Sequence, residues 1–308
     1  MTKLNGTARP ADRAWIAVDW GTSHLRVWVM DAQDRPLHRI DSDQGMTRLD
    51  RGGYEPVLLD LLGDWLDSGP VPVMVCGMAG ARQGWAEAPY VATPCEPPRD
   101  GIAVPTDAAR LQVHILPGIK QDGPPDVMRG EETQIGGFLR QESGFDGVLC
   151  LPGTHNKWVQ LSAREVVSFR TFMTGEIFAL LGSQSVLRHS LSGDGWDEAA
   201  FAESVAETLS RPAALASGLF GLRADSLLNG TTPDVTRARL SGLLIGAELA
   251  AARPYWLGQE VVILGEDAVA GAYLAALKAQ GVAARSVPAG DMTLAGLTAA
   301  YHHMKESR

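Results

Sequence analysis

Val18-Asp19-Trp20-Gly21-Thr22-Ser23-His24-Leu25-Arg26-Val27-Trp28 is the stretch on which the fold turns. The apolar run from Trp15 leads to an acidic residue, a glycine and two hydroxyl residues. Leu25, Val27 and Val29 then alternate on one face through Met30. The pattern reads as strand, tight turn, strand. It also holds the groups a nucleotide polyphosphate needs. Gly21 lets backbone N–H groups approach phosphate oxygens, Thr22 and Ser23 add hydroxyl donors, and Asp19 can bind magnesium through its waters. A plain hairpin whose Asp fixes the turn is the competing reading of this segment alone.

Downstream, Tyr54, Val57, Leu58, Leu61, Leu62 and Trp65 fall on one helical face, and the short apolar run Val71 to Cys76 ends in Gly77-Met78-Ala79-Gly80. Helix followed by buried strand predicts a parallel crossover. Prolines and glycines are frequent from Thr93 to Pro125, so loops are expected there around a strand at Val113 to Leu116. Arg129-Gly130-Glu131-Glu132-Thr133-Gln134 then opens a short helix, and a domain boundary is placed after it, giving domains 1–142 and 143–308. The opening pattern recurs beyond this point. Val148 to Leu151 is an apolar strand, Pro152-Gly153-Thr154-His155-Asn156-Lys157 a turn, and Trp158 to Leu161 a return strand. Two such units predict a duplicated domain. The remainder reads as mostly helical, with a buried strand at Val261 to Leu264, a glycine turn at Gly265-Glu266, a helix from Ala268 to Lys278, a short strand near Ser286, and a last helix, Leu294 to His303, expected to pack back on the first domain. Alternating strands and helices make the architecture α/β.

Bulk properties bound the function. The 308 residues are 45% hydrophobic and carry a formal charge of -9, with no Lys/Arg cluster, so neither nucleic acid nor an anionic membrane is an expected partner. No apolar run approaches the roughly 18 residues of a membrane span, and residues 1–14 lack a secretory signal's apolar stretch, so a cytoplasmic location is expected. Cys76, Cys95 and Cys150 lack the spacing of a disulfide framework or zinc site. His302-His303 reads as a solvated helix end, and Walker and dinucleotide glycine patterns are absent.

The two glycine-hydroxyl turns resemble the phosphate loops of the sugar kinase, acetate kinase and actin superfamily. A closer resemblance, to the 2-dehydro-3-deoxygalactonokinase family, rests on VDWGTSHLRVW (18–28), CGMAGARQGWAEAPYVATPC (76–95), DVMRGEETQIGG (126–137), LPGTHNKWV (151–159) and FRTFMTGEIFALL (169–181). It implies two ribonuclease H-like (actin-like ATPase) domains with an interdomain cleft, and a carbohydrate kinase of galactonate catabolism using ATP and Mg2+. Asp19 would organise the metal, Gly21, Thr22 and Ser23 would contact phosphates from one domain, and Gly153, Thr154, Asn156 and Lys157 from the other; Gly265 would mark the adenosine turn. Such a kinase needs a carboxylate to deprotonate the attacking hydroxyl, and Glu131 and Glu132 are both candidates, with helix-start placement as the competing explanation. The substrate would be a sugar acid, its carboxylate held by Arg82 or Arg129, with Thr174 and Glu176 nearby; surface ion pairing is the alternative for each arginine. Other readings that keep the fold are a different sugar or sugar-acid kinase, a phosphoanhydride phosphatase, and a non-catalytic nucleotide sensor. The apolar second half is compatible with a homodimer.

Overall fold

The structure is a computed structural model that describes residues 9–66, 69–265 and 267–307. Its contacts divide it into two units. One holds the residues up to Phe145, Ser162–Val167 and the stretch from Ala289; the other holds Asp146–Leu161 and Ser168–Pro288.

In the first unit, β1 (Trp15–Trp20), β2 (Leu25–Met30) and β3 (Pro36–Ser42) form an antiparallel meander, followed by α1 (Tyr54–Leu62) and β4 (Val71–Gly77), which returns parallel to β1. The strand expected at Val113 to Leu116 is present as Leu111–Ile115, and further short strands interrupt the loops expected around it between Thr93 and Pro125. This part of the chain contributes β5 (Tyr90–Ala92), β6 (Ile102–Val104), β7 (Leu111–Ile115), β8 (Gly118–Asp122) and β9 (Pro125–Met128) before α2 (Glu131–Gln141). The main sheet runs β3-β2-β1-β4-β7-β6, and β5-β8-β9 form a small separate sheet. Prolines and glycines there end short strands, and this made the region read as loop.

β1 is buried at every position because both of its faces are covered. Ile16, Val18 and Trp20 share a core with Tyr54, Leu58 and Leu62 of α1, whereas Trp15 and Ala17 pack with Leu297, Ala300 and Tyr301. Those last residues belong to the chain-terminal helix, and Trp15 stacks on Tyr301 with centroids 4.5 Å apart. By strand alternation Asp19 lies on this second face.

The second unit repeats the scheme with β10 (Gly147–Leu151), β11 (Asn156–Ser162) and β12 (Glu165–Phe172), then α3 (Thr174–Ser183), α4 (Glu198–Ser210), α5 (Leu215–Leu228), α6 (Pro233–Ala251), the single turn α7 (Arg253–Trp256), β13 (Val261–Leu264), α8 (Ala268–Ala279) and β14 (Ala284–Val287). Its sheet order, β12-β11-β10-β13-β14, matches β3-β2-β1-β4-β7 of the first sheet. The chain closes with α9 (Ala289–Glu306), in the first unit. The periodicity did not show α5, because exposed Phe220, Leu227 and Leu228 blur its apolar stripe. No helix among the described residues is long and apolar enough to cross a membrane.

α2 and α9 pack backbone to backbone. A methyl on Gly137 would lie 1.9 Å from the Met292 carbonyl oxygen, and one on Gly296 2.0 Å from that of Thr133. Helix propensity favours alanine over glycine by about 1 kcal/mol, but overpacking against rigid backbone costs about 1–3 kcal/mol or more, so the clash wins. Gly137→Ala is therefore expected to lower the urea midpoint. Gly271→Ala, whose methyl meets no atom within 4 Å, is expected to raise it. A Gly137→Ala protein as stable as its parent would contradict this packing.

Candidate active site

The first turn is held by its backbone, which leaves its side chains outward. Gly21 N–H donates to the His24 carbonyl at 2.8 Å, while Met46 N–H and Thr47 N–H donate to the Gly21 and Thr22 carbonyls at 3.1 Å. Thr22 and Ser23 remain exposed. Beneath them, Asp19 is buried and its Oδ2 accepts from Arg26 Nη2 at 2.5 Å, the two residues being opposite each other in the β1–β2 register. Cys76, beside Asp19 on β4, places Sγ 3.8 Å from Oδ1. Burial raises the Asp19 pKa and the charge of Glu131 adds to the rise, while Arg26 and the Cys76 thiol pull it down.

Glu131 reaches Asp19 through two glycines. Gly77, at the end of β4, has φ +85°, and a methyl there would sit 2.6 Å from the Trp20 carbonyl oxygen; Gly130 has φ +107°, and its methyl would be 3.2 Å from Gly77 Cα. The start of α2 is thereby brought against the ends of β1 and β4. Its two carboxylates differ. Glu132 is fully buried, with both oxygens accepting from Gly130 N–H at 2.7 and 2.8 Å. Burial chiefly, then the Glu131 charge, pushes its pKa up to about 7, although Gly130 N–H and Arg129 oppose the rise. Glu131 is half-buried and accepts from Arg129 N–H at 3.1 Å.

The Arg129 guanidinium is inside the unit rather than in a surface ion pair. It is 8% exposed, donates from Nη2 to the Ala88 carbonyl at 2.7 Å, and lies 4.3 Å from the Tyr90 ring centroid. Its Nε and Nη1 are buried without a hydrogen-bond partner. A buried guanidinium with free donors favours an anion. Arg82 is exposed.

In the second unit Gly153, Thr154 and His155 are exposed, but Asn156 and Lys157 are buried. Of the four donors expected at phosphate, Gly153 and Thr154 face outward and the side chains of Asn156 and Lys157 do not. Asn156 turns under the loop, its Oδ1 accepting from Gly153 N–H at 2.7 Å and its Nδ2 donating to Glu248 at 2.9 Å. Lys157 Nζ folds back to donate to the His155 carbonyl at 3.0 Å. Thr174 likewise points inward, donating its hydroxyl to Glu248, and Glu176 pairs with His155 at 2.6 Å. For Asn156 the reason is alternation along β11, which puts it on the core face with Trp158. Gly265 ends β13 half-buried, its N–H donating to the Val287 carbonyl at 2.8 Å, and Glu266 lies outside the described residues.

Three features escaped the spacing analysis. Each turn is backed by a residue that must lack a side chain: a methyl on Gly45 would meet Ser23 C at 2.3 Å, and one on Gly175 the Gly153 carbonyl oxygen at 2.0 Å. The third is Glu248, a lone carboxylate in the apolar face of α6, and such a residue is a usable signal because Glu is almost never fully buried unless partnered.

No group of three or more His, Cys, Asp or Glu side chains among the described residues forms a metal cage. Magnesium arriving with a nucleotide keeps several waters and needs only one or two carboxylates plus phosphate. Asp19, beneath the exposed hydroxyls of Thr22 and Ser23, is the carboxylate that could hold such a metal's waters.

A family profile described as 2-keto-3-deoxy-galactonokinase matches residues 19–300. The chain is 39% identical over 295 residues to a candidate 2-dehydro-3-deoxygalactonokinase of Rhizobium meliloti, covering 93% of this chain and 96% of the relative. It is 33% identical over 292 residues to the 2-dehydro-3-deoxygalactonokinase of Escherichia coli, covering 94% and 97%. A crystal structure of a candidate 2-dehydro-3-deoxygalactonokinase from Sinorhizobium meliloti superimposes with a TM-score of 0.87 at 38% identity, covering 94% of this chain and 99% of that one. With its repeated sheet scheme, its paired glycine-hydroxyl turns and these matches along nearly all its length, the chain has the actin-like ATPase fold and belongs to the 2-keto-3-deoxy-galactonokinase family.

Proposed function

We propose that this protein transfers the γ-phosphoryl group of ATP to the 6-hydroxyl of 2-dehydro-3-deoxy-D-galactonate. The observation that carries the reading is that the close approach of Gly77 and Gly130 brings the start of α2, with Glu131, against the end of β1 that carries Asp19, beside the exposed hydroxyls of Thr22 and Ser23. Phosphoryl transfer needs little covalent help from a protein, so catalysis consists of positioning and charge neutralisation. Magnesium, when bound with the nucleotide, neutralises phosphate charge.

The chain's own groups divide the remaining work. Asp19, oriented by Arg26, would hold the metal's waters; the amides and hydroxyls of Thr22, Ser23 and Thr154 would hold phosphate oxygens, and Gly21 and Gly153, whose own N–H groups are engaged within the turns, would let the phosphates come close. Glu131 accepts the proton of the attacking hydroxyl. We assign it this role over Glu132 because both Glu132 oxygens are occupied by Gly130 N–H and the residue has no exposed surface. Arg129, with donors lacking a protein acceptor, and Arg82 are assigned to the substrate carboxylate. Gly265 is assigned to the adenosine side, and Glu176, with His155, to the rim of the second turn.

ADP release measured with magnesium ATP across 2-keto-3-deoxy sugar acids, aldonic acids and neutral hexoses tests the assignment. Release is expected with 2-keto-3-deoxygalactonate and background without sugar; equal release without sugar would instead indicate a phosphohydrolase. Glu131→Gln is expected to lower kcat by about 10²–10⁴-fold with ATP binding retained, and a kcat within tenfold of the parent would remove Glu131 as base.

Glu132 generates a separate expectation. Its native pKa of about 7 stands above the ordinary 4.5, a difference on the order of 3 kcal/mol between protonation states. The native state holds this proton more tightly than the unfolded chain, so the contribution is present below 4.5 and is lost as pH rises through 7. The Tm of Glu132→Gln relative to the parent should therefore be higher at pH 8 than at pH 5. A constant or reversed difference would show that Glu132 does not titrate in this way.

A further inference from the structure

Beneath the second turn lies a buried polar cluster in an otherwise apolar core. Glu248 of α6 is 3% exposed, and its two oxygens accept from groups on three different elements. Oε1 accepts from Trp158 Nε1 at 2.7 Å; Oε2 accepts from Asn156 Nδ2 at 2.9 Å, from the Tyr273 hydroxyl at 2.7 Å and from the Thr174 hydroxyl. Asn156 Nδ2 also donates to the Tyr273 oxygen. Trp158 and Asn156 are on β11, Thr174 begins α3, and Tyr273 is on α8.

The order of these bonds matters. An ionised carboxylate only accepts, so it draws the Nδ2 end of Asn156 toward itself and leaves Oδ1 for the Gly153 N–H. Thr174, in turn, starts the helix whose Gly175 lies against the Gly153 carbonyl and whose Glu176 N–H donates to the Thr154 carbonyl at 2.9 Å. Both routes from Glu248 end on Gly153 and Thr154.

We propose that Glu248 is a positioning residue that sets the backbone of the Gly153–Thr154 turn for ATP phosphate, through Asn156 on one side and Thr174 on the other. This rests on the reading that the turn holds phosphate. An amide cannot replace the carboxylate. In a Glu248→Gln protein the new side-chain NH2 would point either at Trp158 Nε1–H or at Asn156 Nδ2–H, and reversing Asn156 to relieve the second conflict would turn an NH2 onto the Gly153 N–H. Each arrangement leaves two donors facing one another, a cost comparable to an unsatisfied buried group. Burial also raises the Glu248 pKa, against the pull of its four donors.

The test is steady-state kinetics on the full-length enzyme with both substrates varied, for Glu248→Gln, Tyr273→Phe and Thr154→Val. Tyr273→Phe removes one hydroxyl at constant ring volume and keeps the test open if Glu248→Gln does not fold. The expected result is a rise in KM for ATP of about tenfold for Glu248→Gln and about threefold for Tyr273→Phe, with KM for the sugar acid within about twofold of the parent. A purely structural role would lower the active fraction and hence kcat, leaving both KM values alone. If Thr154→Val raises KM for ATP while neither Glu248→Gln nor Tyr273→Phe does, the positioning role is overturned and the phosphate reading stands. If Thr154→Val leaves KM for ATP unchanged, the phosphate reading falls and the positioning role with it.

Discussion

Contact between two glycines, Gly77 and Gly130, is the constraint on which the first unit's chemistry depends. Both sit at positive φ, where a side chain is strained, and each lies too close to neighbouring backbone to tolerate one comfortably. Their approach brings the N-terminus of α2 against the ends of β1 and β4. It gathers Asp19, Glu131, Glu132 and Arg129 into one neighbourhood, although more than a hundred residues separate Asp19 from the rest. Gly137 of α2 and Gly296 of α9 let the two helices pack backbone to backbone and hold α2 in place by the same means.

Proximity alone does not sort the carboxylates, and solvation does. Asp19 has a cationic partner, Arg26, that offsets part of its burial. Glu132 has backbone donors but no surface, and its charge is correspondingly disfavoured. Glu131 keeps a route to solvent and is the carboxylate to which substrate can be presented. Two adjacent glutamates at a helix start thus acquire different chemistry because only one of them points into the packed side of the helix.

The second unit reaches an outward-facing turn by different means. Here Asn156 is the support under the turn, and its amide is oriented by a carboxylate 92 residues further along the chain. Glycine in the following helix, Gly175, again removes the side chain that would keep the backing element away. Both turns therefore keep their hydroxyls outward over a small residue, the first on backbone hydrogen bonds and the second on the buried Asn156 side chain.

Much of this was legible in the amino-acid order. The strand-turn-strand units around Asp19 and Gly153 are local, set by alternation and by glycine, and they appear where the sequence places them. The helix at Glu131 and the strands at Val71 and Val261 follow from apolar runs of the right length. The strand at Val113 was legible too, but the short strands β5, β6, β8 and β9 escaped because their turn-forming residues look like loop, and β12 escaped because its pairing partner, β11, makes it a strand more than its own pattern does. The roles of individual donors needed the tertiary structure. Asn156 and Lys157 have the chemistry of phosphate ligands and Thr174 that of a substrate contact, but which way a polar side chain points depends on what it meets beneath the surface. For Asn156 and Thr174 that is Glu248, whose position is fixed by the packing of α6 and is invisible to any local pattern.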